Sequence, residues 1–242
     1  MNYVIGNWKC NPASVKEAKK ILAGYKKGIK KSKKVQVGIC PPAHLLGLVK
    51  DTVKSLAVLG GQNCYWEAGG AFTSAISAPQ LADMGCAYVI IGHSERRKFF
   101  GETNDTVNKK VKAALAAGLT PIVCVGETRE QRIEGKVTEV IEAQVKEGLK
   151  DIDVNNTKLV IAYEPVWAIG AGEACSPEEA AVVSKFIGNI ASDKIPLLYG
   201  GSVSVENGAS YLKDAGYNGL LVGGVSLKPA EFSALVANVA SL

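Results

Sequence analysis

Eight short apolar runs recur along the 242 residues, at 3–8, 35–40, 56–62, 88–92, 120–125, 159–164, 196–200 and 219–223. Their apolar character is continuous rather than alternating, which predicts strands covered on both faces, as in a parallel sheet. Segments with helical spacing separate them: 14–30, opening on Ser14 as a candidate N-cap, then 43–55, 78–84, 103–117, 129–149, 176–191, 205–215 and 229–239. Eight strand–helix alternations without a break in composition suit a closed barrel whose interior is filled by side chains. An open doubly wound sheet is the rival. It usually carries G-x-G-x-x-G after its first strand, and here Lys9-Cys10-Asn11-Pro12 stands in that place. The expectation is an α/β fold, a single (β/α)8 barrel over residues 1–242 with eight parallel strands inside a ring of helices.

Composition narrows the function classes. Apolar residues make up 47% and charged residues 21% of the chain, which is enough for a substantial core. No stretch of about 18 apolar residues exists, so no membrane span is expected. The first strand begins at residue 3, which leaves no room for a signal peptide. Cys10, Cys40, Cys64, Cys86, Cys124 and Cys175 are scattered and form no C-x-x-C pair. Reduced thiols in a cytoplasmic protein are the expectation. The net charge of +5 is densest between Lys26 and Lys34, at the expected end of the first helix and without interleaved aromatics. That pattern reads as a solvated helix end, not a nucleic-acid site. Neither H-E-x-x-H nor a Cys/His cluster is present, so no metal is expected. Gly92-His93-Ser94-Glu95-Arg96 is not G-x-S-x-G, which makes Ser94 a poor nucleophile.

In barrels, chemistry sits where strands end. The expected strand ends read Gly6-Asn7-Trp8-Lys9, Gly92-His93-Ser94-Glu95, Glu164, Tyr199-Gly200-Gly201-Ser202 and Val222-Gly223-Gly224. Glu164 closes an apolar run and is followed at once by an apolar loop, Pro165 to Ile169, hinged at Gly170 and Gly172. A base on a rigid mount beneath a water-excluding lid is what proton abstraction from carbon requires; the bland alternative is a carboxylate capping a turn. His93 is a candidate electrophile, or a hydrogen-bonded structural histidine. It adjoins a polar segment that could start a helix, which would disfavour imidazolium. Lys9 is a candidate cation or a surface lysine, and Glu95 is its candidate partner or an ordinary helix-start acid. The two glycine pairs are candidate phosphate cradles, because adjacent glycines before a helix expose N–H groups to an anion.

These five segments, in order and near the expected spacing, resemble the triosephosphate isomerase family over essentially the whole chain. The resemblance implies a TIM barrel that interconverts dihydroxyacetone phosphate and D-glyceraldehyde 3-phosphate through an enediolate. It implies no cofactor and a place in glycolysis and gluconeogenesis. Glutamate base, neutral histidine and closing loop are a pairing already documented for this family. By resemblance Glu164 moves the proton, His93 polarises the carbonyl, Lys9 stabilises negative charge, Asn7 adds a hydrogen bond and Glu95 positions the lysine. Gly170, Ser202, Gly223 and Gly224 hold the phosphate, and Trp167 and Ile169 form the lid's apolar face.

The long loop over residues 65–77, from Tyr65 to Ser77, carries aromatics that a monomer would leave in water. The family resemblance implies a homodimer docked through it, with Thr73 near the partner's active site and Cys10 beside that contact. Departures from the family pattern are Ala75 for a glutamate that bonds across the dimer, Ala171 and Glu173 in the lid's second hinge, and a shortened stretch between Gly172 and Tyr199. Two rivals stand beside this reading. Another phosphate-binding barrel would not need Lys9, His93 and Glu164 together, and a catalytically silent relative would have lost one of them.

Overall fold

A computed structural model describes residues 1–170 and 174–242. Its strands are β1 (Asn2–Asn7), β2 (Val35–Cys40), β3 (Val58–Gly61), β4 (Tyr88–Ile91), β5 (Thr120–Val125), β6 (Val160–Tyr163), β7 (Leu197–Tyr199) and β8 (Gly219–Val222). Each pairs in parallel with its sequence neighbours, and β1 pairs with β8 to close the barrel. Within the strands, alternate residues face opposite layers. Tyr88, Ile90, Ile122, Cys124, Val160, Ala162, Leu198 and Leu221 belong to the cluster inside the barrel. Val89, Ile91, Val123 and Ile161 pack outward against the helices. Both faces are buried, which is why the strands read as unbroken apolar runs.

Helices follow the strands: α1 (Val15–Gly28), α2 (Leu46–Val53), α3 (Ala78–Asp83), α4 (Ser94–Phe100), α5 (Asn104–Ala116), α6 (Arg129–Ile133), α7 (Val137–Gly148), α8 (Pro177–Ile190), α9 (Gly208–Lys213) and α10 (Pro229–Ala240). Ser14 caps α1 as expected, accepting from the Glu17 N–H at 3.2 Å. Ala18, Ile21, Leu22 and Tyr25 form its buried stripe. The same capping logic starts α5, where the Thr103 side chain accepts from Thr106 N.

Two of the expected helices differ in the structure. The helix expected over 129–149 is two helices, because Gly135 takes φ +71° and turns the chain between α6 and α7. The helix expected over 205–215 is only α9. One polar stretch after β4 forms a complete helix, α4, that apolar spacing could not reveal, since only Ser94 of its seven residues is buried. All six cysteines are free thiols, and five of them are buried. Among the described residues, no helix is long and apolar enough to cross a membrane.

Candidate active site

Parallel strands put all their C-terminal ends at one rim, so the candidates that follow β1, β4, β6 and β8 meet there. Glu164 comes directly after β6, and its N–H donates to Val125 O at 2.8 Å, which fixes the residue to β5. Its side chain is almost fully buried. Oε2 accepts from the Ser94 N–H at 2.8 Å. Oε1 lies 2.9 Å from His93 Nε2, an ion-pair contact, and has no well-aligned hydrogen-bond donor. Burial alone would raise the Glu164 pKa. The adjoining His93, the Ser94 N–H and the Lys9 charge outweigh burial and hold the carboxyl below its ordinary value.

His93 is the N-cap of α4, and its Nδ1 accepts from Glu95 N at 3.2 Å. That bond needs a bare Nδ1, so the ring proton sits on Nε2 and faces Glu164. Burial disfavours the imidazolium, whereas the Glu164 carboxylate favours it and prevails, lifting proton affinity above the ordinary histidine value. The Glu95 amide works against that second proton, because a protonated Nδ1 would leave two N–H groups facing each other.

Lys9 occupies the left-handed region at φ +53°, which costs a non-glycine residue about 1–3 kcal/mol. Neighbouring groups hold it there. Asn7 Oδ1 accepts the Lys9 N–H at 2.9 Å, and Gln62 Nε2 donates to Lys9 O and to Cys40 O, each at 2.9 Å. The turn aims the amine at Glu95 Oε1, 2.5 Å away. Glu95 Oε2 lies 3.7 Å from His93 Nδ1, so Glu95 links the cation to the imidazole. Lys9 also crosses the glycine turn after β8: a Cβ on Gly223 would meet its Cε at 3.3 Å.

The two glycine pairs differ. Gly224 opens a short 3-10 helix (Gly224–Leu227), so its N–H has no intrahelical acceptor. Ser226 braces the turn, its Oγ donating to Gly223 O at 2.6 Å. Gly200 is no cradle: its N–H donates to Tyr163 O at 2.8 Å, and α9 starts only at Gly208. The absent side chain instead gives Glu164 room, since a Cβ there would meet its Cγ at 3.1 Å. Ser202 is partly buried beyond this pair, with its carbonyl accepting from Asn207 Nδ2 at 3.1 Å.

After Glu164 and Pro165 the chain makes a 3-10 turn (Val166–Ala168) and reaches Gly170 at φ +70°. Ala171, Gly172 and Glu173, singled out in the sequence, lie outside the described residues. Trp167 Nε1 donates to Glu127 Oε1 at 2.8 Å, the Tyr163 hydroxyl reaches the same carboxylate at 3.1 Å, and Arg132 stacks on the Trp167 ring at 4.5 Å. Glu127 and Gln62 are absent from the sequence-derived site. Both follow strand ends, β5 and β3, the same position that singled out Glu164. The Tyr199 hydroxyl is buried without a partner beneath this region.

The family model described as triosephosphate isomerase matches residues 2–239. The chain belongs to the triosephosphate isomerase family. Triosephosphate isomerase of Endomicrobium trichonymphae is 45% identical over 240 residues, covering 96% of each chain. That of Aquifex aeolicus is 42% identical, covering 96% of this chain and 97% of the other. The crystal structure of triosephosphate isomerase from Bartonella henselae superposes with a TM-score of 0.85 at 37% identity, covering 100% of this chain and 99% of that one. The activity is therefore aldose–ketose isomerisation of triose phosphates, as expected from the sequence, and the silent relative and the other phosphate-binding barrels fall away.

Proposed function

We propose that Glu164 is the base of this isomerisation, with His93 as electrophile, Lys9 as charge stabiliser, and Asn7 and Glu95 orienting the lysine. The observation that carries this reading is a buried carboxylate oxygen, Glu164 Oε1, with no well-aligned hydrogen-bond donor, 2.9 Å from His93 Nε2. Glu164 takes a proton from the carbon beside the carbonyl. The C–H electron pair forms the double bond of the enediolate, and negative charge develops on the carbonyl oxygen. The His93 Nε2–H and the Lys9 ammonium meet that charge from fixed positions, which is usually the largest catalytic term. His93 Nε2 gives its proton to the charged oxygen and regains one from the neighbouring hydroxyl, and return of the carbon-bound proton from Glu164 to the adjacent carbon then gives the isomer, so no redox partner or cofactor enters.

Glu164 rests against the N-terminus of α4, where the Ser94 N–H lowers its basicity. Pro165 joins it directly to the lid, so closure that draws Glu164 off Ser94 strengthens the base as substrate is enclosed. The N–H groups of Gly170, Gly223 and Gly224, together with Ser202, hold the phosphate, and the Trp167–Ile169 segment shields the enediolate from water and from phosphate loss.

The assembly we propose is a homodimer docked through residues 65–77. Tyr65 and Trp66 stack at 4.2 Å and Tyr65 and Phe72 at 4.7 Å, which organises a loop whose tip, Phe72 included, is exposed. Thr73 and the exposed Cys10 belong to this contact. A cytoplasmic location fits six free thiols. The test of the mechanism is Glu164→Gln, assayed by isomerisation of D-glyceraldehyde 3-phosphate coupled to a reductase. A loss of at least about 10²–10⁴-fold in kcat is expected. Turnover near the parent rate would remove Glu164 as base.

A further inference from the structure

Arg97 is a cation behind the proposed catalytic pair for which the isomerisation mechanism has no use. It leaves α4 and folds back beneath the turn between β4 and α4. Its guanidinium is spread over three neutral acceptors: Nε donates to Gly92 O at 2.9 Å, Nη1 to Asn104 Oδ1 at 2.7 Å and Nη2 to Cys124 O at 3.4 Å. Gly92 makes this possible in two ways. It takes φ +73°, and a Cβ there would meet Arg97 Nη2 at 3.1 Å and Val107 Cγ2 at 2.9 Å. The neighbouring Arg96 is instead neutralised by Glu102. Among the described residues, no carboxylate is paired with Arg97 at ion-pair distance.

The Gly92 carbonyl that Arg97 grips belongs to the peptide that carries His93, and the Cys124 carbonyl belongs to β5, the strand beside Glu164. The guanidinium therefore fixes the mount of His93 and brings a positive charge onto the carbonyl of the peptide that carries it. Burial works against that charge and lowers the Arg97 pKa, while the fields of the Glu102 and Glu164 carboxylates favour the cation. An arginine keeps its proton through such opposition. The charged groups facing His93 are Glu164 from the end of β6, Lys9 from the end of β1 and Glu95 from α4.

We propose that Arg97 is a positioning residue for the isomerisation, an unneutralised cation that holds the Gly92–His93 turn and opposes a second positive charge on the imidazole. This rests on the reading of His93 as a neutral donor. A unit charge one peptide layer away moves a histidine titration by on the order of one pH unit at an effective dielectric constant of about 20.

The experiment is a pH titration of the His93 ring nitrogens by NMR, assigned against a His44→Gln variant, in the parent protein and in Arg97→Gln, Arg97→Lys and Asn104→Asp. Asn104→Asp puts a carboxylate on the guanidinium at the first position of α5, where an acid also suits the helix dipole, and is made with Glu147→Gln because Asn104 Nδ2 donates to Glu147 Oε2 at 3.0 Å. Arg97→Gln and Asn104→Asp are each expected to raise the His93 midpoint by about one pH unit and to move the acidic limb of the kcat profile with it. Arg97→Lys is expected to keep the midpoint but lower kcat, because one amine cannot span Gly92 O and Cys124 O. An unchanged midpoint in both charge variants would overturn the proposal, and Asn104→Asp decides alone if Arg97→Gln does not fold. A parent His93 that is already charged at neutral pH would instead overturn the neutral-donor reading.

Discussion

Two glycines flank Glu164, and substituting each by alanine separates its backbone from its side chain. At Gly200 the new methyl would sit 3.1 Å from Glu164 Cγ and 3.3 Å from Tyr163 O. Ordinary carbon contacts lie near 3.5–4.0 Å, so the base must yield by about 0.5 Å. A displacement of about 1 Å costs about 10²-fold in rate, so half of that predicts about a tenfold fall in kcat, or about 1.4 kcal/mol. KM should hold, because Ser202, Gly223 and Gly224 are untouched, and stability should fall by no more than about 1–3 kcal/mol. At Gly126 the methyl would lie within the van der Waals shell of the Glu164 carbonyl oxygen and 2.6 Å from its carbonyl carbon. No rotamer relieves a clash with backbone. β5 and β6 must separate, breaking the bond from Glu164 N to Val125 O, and a loss above about 3 kcal/mol is expected. Coupled isomerisation kinetics and urea unfolding of the two variants check both halves. A Gly200→Ala enzyme with the parent kcat, or a Gly126→Ala protein with the parent stability, would refute the reasoning.

Three further outcomes are expected. Glu102 is buried with Arg96 and Lys110 both on its Oε1; burial raises its pKa, but the two cations override burial and hold it below the ordinary value. Its contribution to stability is therefore complete above the ordinary glutamate range and is lost as pH falls through the depressed native value. Glu102→Gln should cost about 3–5 kcal/mol at neutral pH, with urea midpoints converging on the parent's in acid; a difference independent of pH would contradict this. Shortening the lid after Ile169 should raise the fraction of bound intermediate lost as methylglyoxal, and an unchanged product ratio would remove the protective role. Bulky alkylation of exposed Cys10 should weaken dimer and activity together, and a modified protein that sediments as a dimer with full turnover would discard the proposed contact.

Much of this molecule was legible in its sequence because strands buried on both faces leave a local mark. The eight apolar runs mapped onto β1–β8 within two residues at each end, and the strand-end rule singled out Lys9, His93, Glu95 and Glu164, whose side chains the structure brings into contact. The expected strands overran at Trp8, Gln62, Gly92, Glu164, Gly200 and Gly223, since hydropathy cannot tell the last ladder residue from the first one at the rim. Glu127 and Gln62 went unread because their importance lies in bonds to Trp167 and Lys9, 40 and 53 residues away in sequence. Gly200 was misread as a cradle because a glycine pair looks the same whether it binds an anion or makes room for a neighbouring side chain.

Sequence by itself determined the strands, most of the helices, their order and the chemical kinds at the rim, because these follow from side-chain polarity and short-range backbone preference. Only the tertiary structure decided that β1 closes on β8, that Lys9 is held in a left-handed turn, that the Glu164 and His93 side chains meet at 2.9 Å and that Arg97 stands unneutralised behind them. Each of these depends on groups far apart in the chain competing for the same few ångströms, and spacing along the chain carries no record of that competition.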